Sequence, residues 1–430
     1  MAGHRIARRL RLVAPTSVWI GIDLGQERHA VAVLSPDGCL LARFWMVNAL
    51  TGFQQLVERA RGFSGVCNGA PVVIGMEATN HYWETLVDFL DEHGLAWRLI
   101  NPFTAKRHRE GADLARTKHD RRDAMQLAEM LRIGYFTETK RLPPAYAALR
   151  RAFHEHVRLA DARAQQQILI RHALEGVFSE LRRACRAGVQ SEAVRSVLRT
   201  GLTPRQIAAL SEAEFVERVR AHFHGKRLFC GKLRALYSAC QETVGSTLGA
   251  EAAMAEIRRC LATFDHLEAQ LAEVDAELDA ALVLIPISRH LFTMPGLGRI
   301  TVAGLLAEIG PIEWYTSGKQ LVKLAGLHPG QHDSGRRMGT RGRLAKQGRV
   351  LLRRVAFMAA LSCLVHNPLL RTRHHALTTR AARPLARMVA LGAAMNKLLL
   401  WVFALLHQQR DWDPLHEWQP TRKEVVAQAS

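Results

Sequence analysis

Short apolar segments alternate with helical ones over the first 140 residues, and this alternation restricts the fold more than any other feature of the chain. Three extended segments come first, and the second and third are joined by a Pro36-Asp37-Gly38 turn. The strands are predicted at Val18–Asp23, 29–34, Leu40–Val47, 71–76 and 95–100, and the helices at 52–61, 83–93 and 120–133. Strands that alternate with helices in this way predict an α/β domain.

The order of these elements is that of the ribonuclease-H-like fold, although a doubly wound α/β domain would share most of it. Pro143-Pro144 ends the domain, and nearly everything after it has helical character. The predicted class is therefore α/β plus α. Its divisions are a basic N-terminal arm (1–16), the ribonuclease-H-like domain (17–142), a helical and coiled-coil region (143–287), a helical C-terminal domain (288–412) and a tail (413–430).

A heptad pattern of apolar residues occupies the last part of the helical region. Steps of three and four connect Ile257, Cys260, Phe264, Leu267, Leu271, Val274, Leu278, Ala281 and Ile285. This period is typical of a coiled coil, although a buried helix within one chain would look similar. The partner of this heptad seam is either a second chain or the helix predicted around 149–181. We expect the seam to mediate assembly.

Four acids lie at corresponding ends of the predicted elements of the first domain. Asp23 ends the first strand, Glu77 follows the strand after the first helix, and Asp120 and Asp123 lie three apart at a helix start. Residues three apart share a helix face. Each acid alone has an ordinary structural explanation, such as a cap or a solvated side chain. Together they are typical of a site for Mg²⁺, which prefers oxygen ligands, and two such ions could clamp a phosphodiester.

The charge of the chain is strongly segregated. The chain has 59 Lys and Arg against 39 Asp and Glu, a formal net charge of +20. From Ser334 to Arg410 there is no acid, whereas 15 residues are Lys or Arg. Such a block favours a polyanionic partner, nucleic acid first and an anionic membrane surface second. No apolar run is long enough to span a bilayer, and seven cysteines without a C-x-x-C pair favour a reducing, cytoplasmic location.

Two further motifs belong to the C-terminal domain. Met294-Pro295-Gly296-Leu297-Gly298 resembles the turn of a helix-hairpin-helix, where Gly296 and Gly298 would let backbone amides approach a phosphate. Ser334 lies in an arginine-rich loop, where guanidinium groups could stabilise a phosphoryl transition state. The alternative is a turn serine in a basic binding loop. The candidate nucleic-acid contacts are Arg336, Arg337, Arg341, Arg343, Lys346, Arg349 and Arg353.

The two motif sets resemble those of DEDD-type insertion-sequence transposases with a C-terminal catalytic serine, the bridge-RNA-guided recombinases. In the first domain the similar stretches are W-I-G-I-D, I-G-M-E-A-T, Asn101-Pro102 and T-K-H-D-R-R-D-A. In the last domain they are P-G-L-G, G-L-H-P-G-Q-H-D-S-G and K-Q-G-R-x-x-L-R. Together these stretches cover both motif-bearing domains in the order found in the family.

The resemblance implies a DNA transposase in which Asp23, Glu77, Asp120 and Asp123 bind Mg²⁺ and Ser334 attacks a phosphodiester. It also implies a guide RNA that pairs with donor and target DNA. Because recombination must hold two DNA duplexes, we expect a homodimer or homotetramer. Two alternatives remain: a metal-dependent nuclease of the Holliday-junction type without serine chemistry, and a nucleic-acid-binding scaffold whose acids are structural.

Overall fold

A computed structural model describes residues 12–77, 82–112, 120–137, 140–225, 230–331 and 341–415. The chain forms two compact units whose boundary lies between Arg141 and Leu142. The first unit is a mixed α/β domain, and the second is helical apart from one short hairpin over the residues that the structure describes there.

A five-stranded sheet forms the centre of the first unit. Its strands are β1 (Val18–Asp23), β2 (Arg28–Leu34), β3 (Leu40–Val47), β4 (Val72–Glu77) and β5 (Ala96–Ile100). Their order is β3-β2-β1-β4-β5; β1, β2 and β3 pair antiparallel, whereas β4 is parallel to both β1 and β5. This arrangement is consistent with the predicted ribonuclease-H-like fold. β1 and β4 read as nearly continuous apolar runs because both faces of these central strands are covered.

Among the described residues of this unit, four helices accompany the sheet: α1 (Leu50–Val66), α2 (Tyr82–Glu92), α3 (Pro102–Ala112) and α4 (Asp120–Arg132). The sequence pattern predicts no helix at α3, because Asn101-Pro102 directly follows the predicted strand at 95–100 and an Asn-Pro dipeptide is typical of a turn. Proline is compatible with the first helical turn, where its absent N–H would have no partner, so the same dipeptide begins a helix here. The remaining predicted elements of this unit agree with the structure to within a few residues.

Two long helices run antiparallel in the second unit, α5 (Pro144–Val177) and α11 (Ala250–Val283). Nδ1 of His156 lies 2.8 Å from Oδ1 of Asp275, and Nη1 of Arg163 lies 3.7 Å from Oε1 of Glu268. Later residues of α5 therefore meet earlier residues of α11.

The heptad seam of α11 faces α5 of the same chain. Leu278 is fully buried in a cluster with Leu149 and Phe153 of α5. At the other end, Ile257 packs with Ile170 and Leu174. The apolar side chains of the seam are thus covered within the chain, which corrects our expectation that they hold two chains together. Cys260 is only partly buried, and Leu261 takes its place in the seam.

Short helices connect α5 and α11 and cover one end of the pair. They are α6 (Leu181–Ala184), α7 (Glu192–Arg199), α8 (Pro204–Ala208), α9 (Glu212–Arg220) and α10 (Cys230–Gln241). Thr203 and Ser211 begin α8 and α9 with reciprocal capping boxes, in which Gln206 and Glu214 bond back to the cap amides. A second hydrophobic core, which includes Val194, joins these helices to the long pair.

The C-terminal part of the chain shares a core with the other ends of α5 and α11. Its elements are α12 (Arg289–Phe292), α13 (Arg299–Ile309), α14 (Gly318–Leu324), β6 (Pro329–Gln331), β7 (Arg341–Leu344), α15 (Val350–His366), α16 (Pro368–Thr379) and α17 (Arg387–Gln408). The β6–β7 hairpin is a feature that the sequence analysis did not predict.

By length and composition α17 could cross a membrane, and α15 with α16 would pass the same test as one span bent by 99°. The side chains of α17 explain its composition in another way. Leu398, Val402 and Leu405 are fully buried in the C-terminal core, as expected for a core helix.

Candidate active site and nucleic-acid interface

Two of the four predicted acids lie side by side at one edge of the sheet. The register of the parallel pair sets Ile22 beside Met76, so the next residues along, Asp23 and Glu77, end β1 and β4 together. Paired residues of neighbouring parallel strands point to the same face. Both carboxylates therefore belong to the same face and the same edge, and Glu77 is 8% exposed.

Helix α4 lies on that face because two glycines make room for it. Gly21 pairs with Gly75, and each lies two residues before an acid and thus on the same face as that acid. A Cβ at Gly21 would overlap with the backbone of Ala124 and Ala128, so the helix packs directly on the strand. At Gly75 a Cβ would meet the side chain of Leu131.

This packing brings the third acid to the edge. Asp123 precedes Ala124, and Ala124 packs with Ala30, the residue of β2 opposite Asp23. Asp123 is 6% exposed, so its carboxylate lies under the surface of the domain. Asp120 is the first residue of α4, one turn earlier, and its side chain lies outside the described residues. The fold therefore gathers Asp23, Glu77 and the start of α4 at one edge of the sheet.

The chemistry of these donors fits a hard divalent ion, since they are carboxylates and two of them, Glu77 and Asp123, are buried. The described acids by themselves do not complete a metal site. Among the side chains that the structure describes, no group of three His, Cys, Asp or Glu residues is arranged so that it could hold an ion. Asp120 is the predicted ligand that this statement does not cover.

The predicted nucleophile belongs to the connection between β6 and β7. Gln331 pairs with Arg341 and Pro329 with Leu344, so the two ends of the connection are adjacent in an antiparallel hairpin. Ser334, Arg336 and Arg337 lie between them, outside the described residues, and the same is true of the side chains of Arg341 and Arg343.

The basic residues after the hairpin differ in their surroundings. Lys346 is exposed, as expected of a phosphate contact. Arg353, in contrast, donates from Nη1 to the carbonyl oxygens of Ala325, at 2.9 Å, and of Lys346, at 3.2 Å. Arg349 donates to the carbonyl oxygen of Glu308. The last two guanidinium groups are therefore engaged within the protein.

Glu308 is a functional candidate that the sequence analysis missed. It is 4% exposed, in the apolar part of α13 that follows Thr301, and its Oε1 lies 2.7 Å from Nε2 of His154. Burial by itself raises the pKa of Glu308, but the bond from His154 and the positive charges of Arg349 and Arg150 outweigh it and lower the pKa below the usual value. A lone acid within the apolar run Val302–Ile309 was the signal that could have identified it.

Arg150 completes this buried group. Its Nε donates to the carbonyl oxygen of Ala307 at 2.7 Å. Burial, followed by the charge of Arg349, lowers the pKa of Arg150 to about 10. Two guanidinium groups thus converge on the C-terminal end of α13, where free carbonyls and the helix dipole favour positive charge.

The two glycines that were predicted to contact phosphate, in the turn before α13, have different surroundings. Gly296 has a φ of +95°, and a Cβ there would lie 2.7 Å from Cα of Cys363 in α15. Its role is close packing. Gly298 precedes α13, and within the part of the chain that the structure describes no atom lies within 4 Å of its missing Cβ, so close packing does not explain this glycine. The preceding helix, α12, has four residues, and the helix-hairpin-helix assignment stays a prediction.

Comparison with known proteins assigns the chain to a family. A DEDD transposase family model of the IS110 type matches residues 20–179, and a model described as the transposase IS116/IS110/IS902 family matches residues 288–375. Together they cover more than half of the chain.

Three relatives are similar over most of their length. A mini-circle putative transposase for IS117 from Streptomyces coelicolor is 26% identical, over 82% of this chain and 85% of the relative. The transposase for insertion sequence element IS1111A from Coxiella burnetii is 24% identical, over 85% and 84%. An insertion element IS116 protein from Streptomyces clavuligerus is 25% identical, over 92% and 96%. The chain is a DNA transposase of the IS110/IS116/IS902 insertion-sequence family.

Proposed function

We propose that this transposase cuts and rejoins DNA strands with two groups, a carboxylate-held Mg²⁺ in the first unit and the Ser334 hydroxyl in the second. The observation that carries the proposal is the acidic edge, where β1 and β4 end in Asp23 and Glu77 and α4 packs over the same face. Asp120 and Asp123 complete the proposed ligands. When bound, the ion would stabilise negative charge on phosphate oxygens and on the leaving oxygen.

In the proposed covalent step, the Ser334 oxygen attacks the phosphorus of a DNA phosphodiester. A new serine–phosphate bond forms, the bond from phosphorus to the leaving DNA oxygen breaks, the serine proton goes to a base, and the leaving oxygen takes up a proton. A DNA hydroxyl then attacks the phosphoserine and restores the serine. Because one ester is exchanged for another, rejoining needs no external energy source. The arginines of the loop would stabilise the charge on the transferring phosphate.

The Ser334→Ala variant tests this chemistry directly. It removes one hydroxyl and no charge, so we expect the covalent protein–DNA product to disappear from denaturing gels while DNA affinity changes little. The matched control is Ser317→Ala, which removes a serine hydroxyl elsewhere in the same part of the chain and should leave the product intact. Metal-dependent hydrolysis at the wild-type rate without any adduct would favour the alternative of a junction nuclease. An adduct that persists in Ser334→Ala would instead assign the covalent bond to another residue.

We further propose that donor and target DNA are selected by a guide RNA transcribed from the element, and that a homodimer or homotetramer acts on them. The resemblance to guided recombinases and the acid-free basic block of the chain support the RNA partner. Strand transfer by purified protein should require this RNA and should follow changes in its pairing loops. Equal transfer without RNA would contradict the guide. The heptad seam does not supply the chain–chain contact, since α5 covers it.

A further inference from the structure

We infer that Arg353 and Arg349 are positioning residues, which hold the base of the β6–β7 hairpin and do not bind nucleic acid. The inference rests on the proposed function, because the hairpin carries Ser334. A nucleophile on a loop needs a rigid base, since a displacement of about 1 Å can lower a rate about a hundredfold.

The base of the hairpin is closed by backbone hydrogen bonds between its two arms. The amide of Lys346 donates to the carbonyl of Gly326 at 3.0 Å, and the amide of Ala345 donates to that of His328 at 2.9 Å. Gly326 and Lys346 both have left-handed backbone, with φ of +67° and +53°. An L residue such as Lys346 rarely adopts this conformation unless its surroundings hold it there.

Arg353 supplies that restraint from one nitrogen atom. Its Nη1 donates to Ala325 on the arm that enters the hairpin and to Lys346 on the arm that leaves it. The space between the arms is small, because a Cβ at Gly326 would lie 2.9 Å from the carbonyl carbon of Lys346. The guanidinium group therefore joins the two arms at the left-handed residue.

Arg349 attaches the same base to the core. Its amide donates to the carbonyl of Leu324 at 2.7 Å, and its guanidinium donates to the backbone of Glu308 in α13. Nη1 of Arg349 also lies 4.0 Å from the buried Glu308 carboxylate, which accepts from His154. A chain of polar contacts thus leads from α5 through α13 to the hairpin.

Arg353→Lys is the most informative variant, because it keeps the positive charge, whereas the lysine side chain is one atom shorter and does not place a nitrogen where Nη1 of Arg353 lies. Two quantities separate the roles: the slope of DNA affinity against salt concentration, and the single-turnover cleavage rate at saturating DNA. A positioning residue leaves the slope unchanged and lowers the rate, here by at least tenfold. The matched comparison is Lys346→Ala, at an exposed lysine of the same segment, which should lower the slope by about 0.9 if it neutralises one phosphate.

Arg353→Ala, which removes the charge as well, tests whether Arg353 contacts a phosphate. Loss of a phosphate contact would lower its salt slope by about 0.9 and leave the rate at saturating DNA at the wild-type value, and that result would overturn the inference. We expect instead an unchanged slope, a reduced rate and faster amide exchange at Ala345 and Lys346. If this variant does not fold, Arg353→Lys decides by the same two quantities. Failure of the serine chemistry would appear separately, as an adduct that persists in Ser334→Ala.

Discussion

The close packing of α4 on β1 yields a sharp test of the acidic edge. Gly21→Ala places a methyl group where the backbone of Ala124 and Ala128 now lies. A side chain could rotate away from this methyl group, but a helix backbone can only move as a whole. Overpacking of this kind costs about 1–3 kcal/mol of stability. The helix should move off the strand, and Asp123 should move with it.

The effect on activity should exceed the effect on folding. A displacement of about 1 Å in a catalytic group costs about a hundredfold in rate. We expect Gly21→Ala to lower the midpoint of urea unfolding modestly and to reduce Mg²⁺-dependent strand cleavage about a hundredfold at saturating DNA. Cleavage should be measured under conditions in which the variant is still fully folded, as monitored by circular dichroism.

Gly62→Ala is the matched control, because Gly62 lies in α1 and no atom of the described residues is within 4 Å of its missing Cβ. Alanine in a helix interior should stabilise the domain by about 0.5–1 kcal/mol and leave cleavage unchanged. The reasoning is refuted if Gly21→Ala unfolds and cleaves like the wild type. A destabilised Gly21→Ala that cleaves at the wild-type rate would separate the packing of α4 from the active site.

Three further predictions concern the metal, the helix pair and the buried acid. Asp123→Asn should lose the rise in melting temperature that Mg²⁺ gives to the wild type, and an equal rise in both would remove Asp123 from the ligands. Leu278→Ala should lower the free energy of unfolding in urea by about 2–5 kcal/mol without changing the particle mass measured by light scattering. The control is Val283→Ala at a residue that is 77% exposed, which should cost less than about 0.5 kcal/mol. A smaller particle for Leu278→Ala would indicate that the seam forms a contact between chains. Glu308 has a lowered pKa, so its stabilising contribution is complete above its unfolded pKa of about 4.3 and is lost as the pH falls through the lower folded value. The stability difference between wild type and Glu308→Gln should therefore be largest near neutral pH and shrink on acidification below about pH 4.5, and a difference that does not depend on pH would contradict this.

Local patterns in the sequence were sufficient for most of the first unit. The apolar runs that became β1 and β4 are recognisable because central parallel strands are buried on both faces. Their order, and the acids that end them, predicted an edge at which Asp23 and Glu77 meet. The structure sets these two residues side by side, in neighbouring strands of one sheet. Helix α3 was missed because a proline can end one element and begin the next.

Only the tertiary structure identified the partner of the heptad seam. A heptad period shows that one face of α11 is covered, but α5 and a second chain would impose the same period on it. The polar contacts His156–Asp275 and Arg163–Glu268 lie between residues more than 100 positions apart, and no local pattern reveals such a contact.

The sequence by itself determined the acidic strand ends, the basic block and the family motifs, because each is written in neighbouring residues. Only the tertiary structure distinguished between the basic residues of that block. Lys346 and Arg353 look alike as basic residues of one motif, yet one is exposed and the other bonds to two backbone carbonyls. Glu308 is comparable, since its partners His154 and Arg349 come from distant parts of the chain. The physical reason is that the surroundings of a charged side chain decide whether it binds a ligand or makes a structural contact. Those surroundings, the local dielectric and the neighbouring hydrogen-bonding groups, exist only in the folded chain.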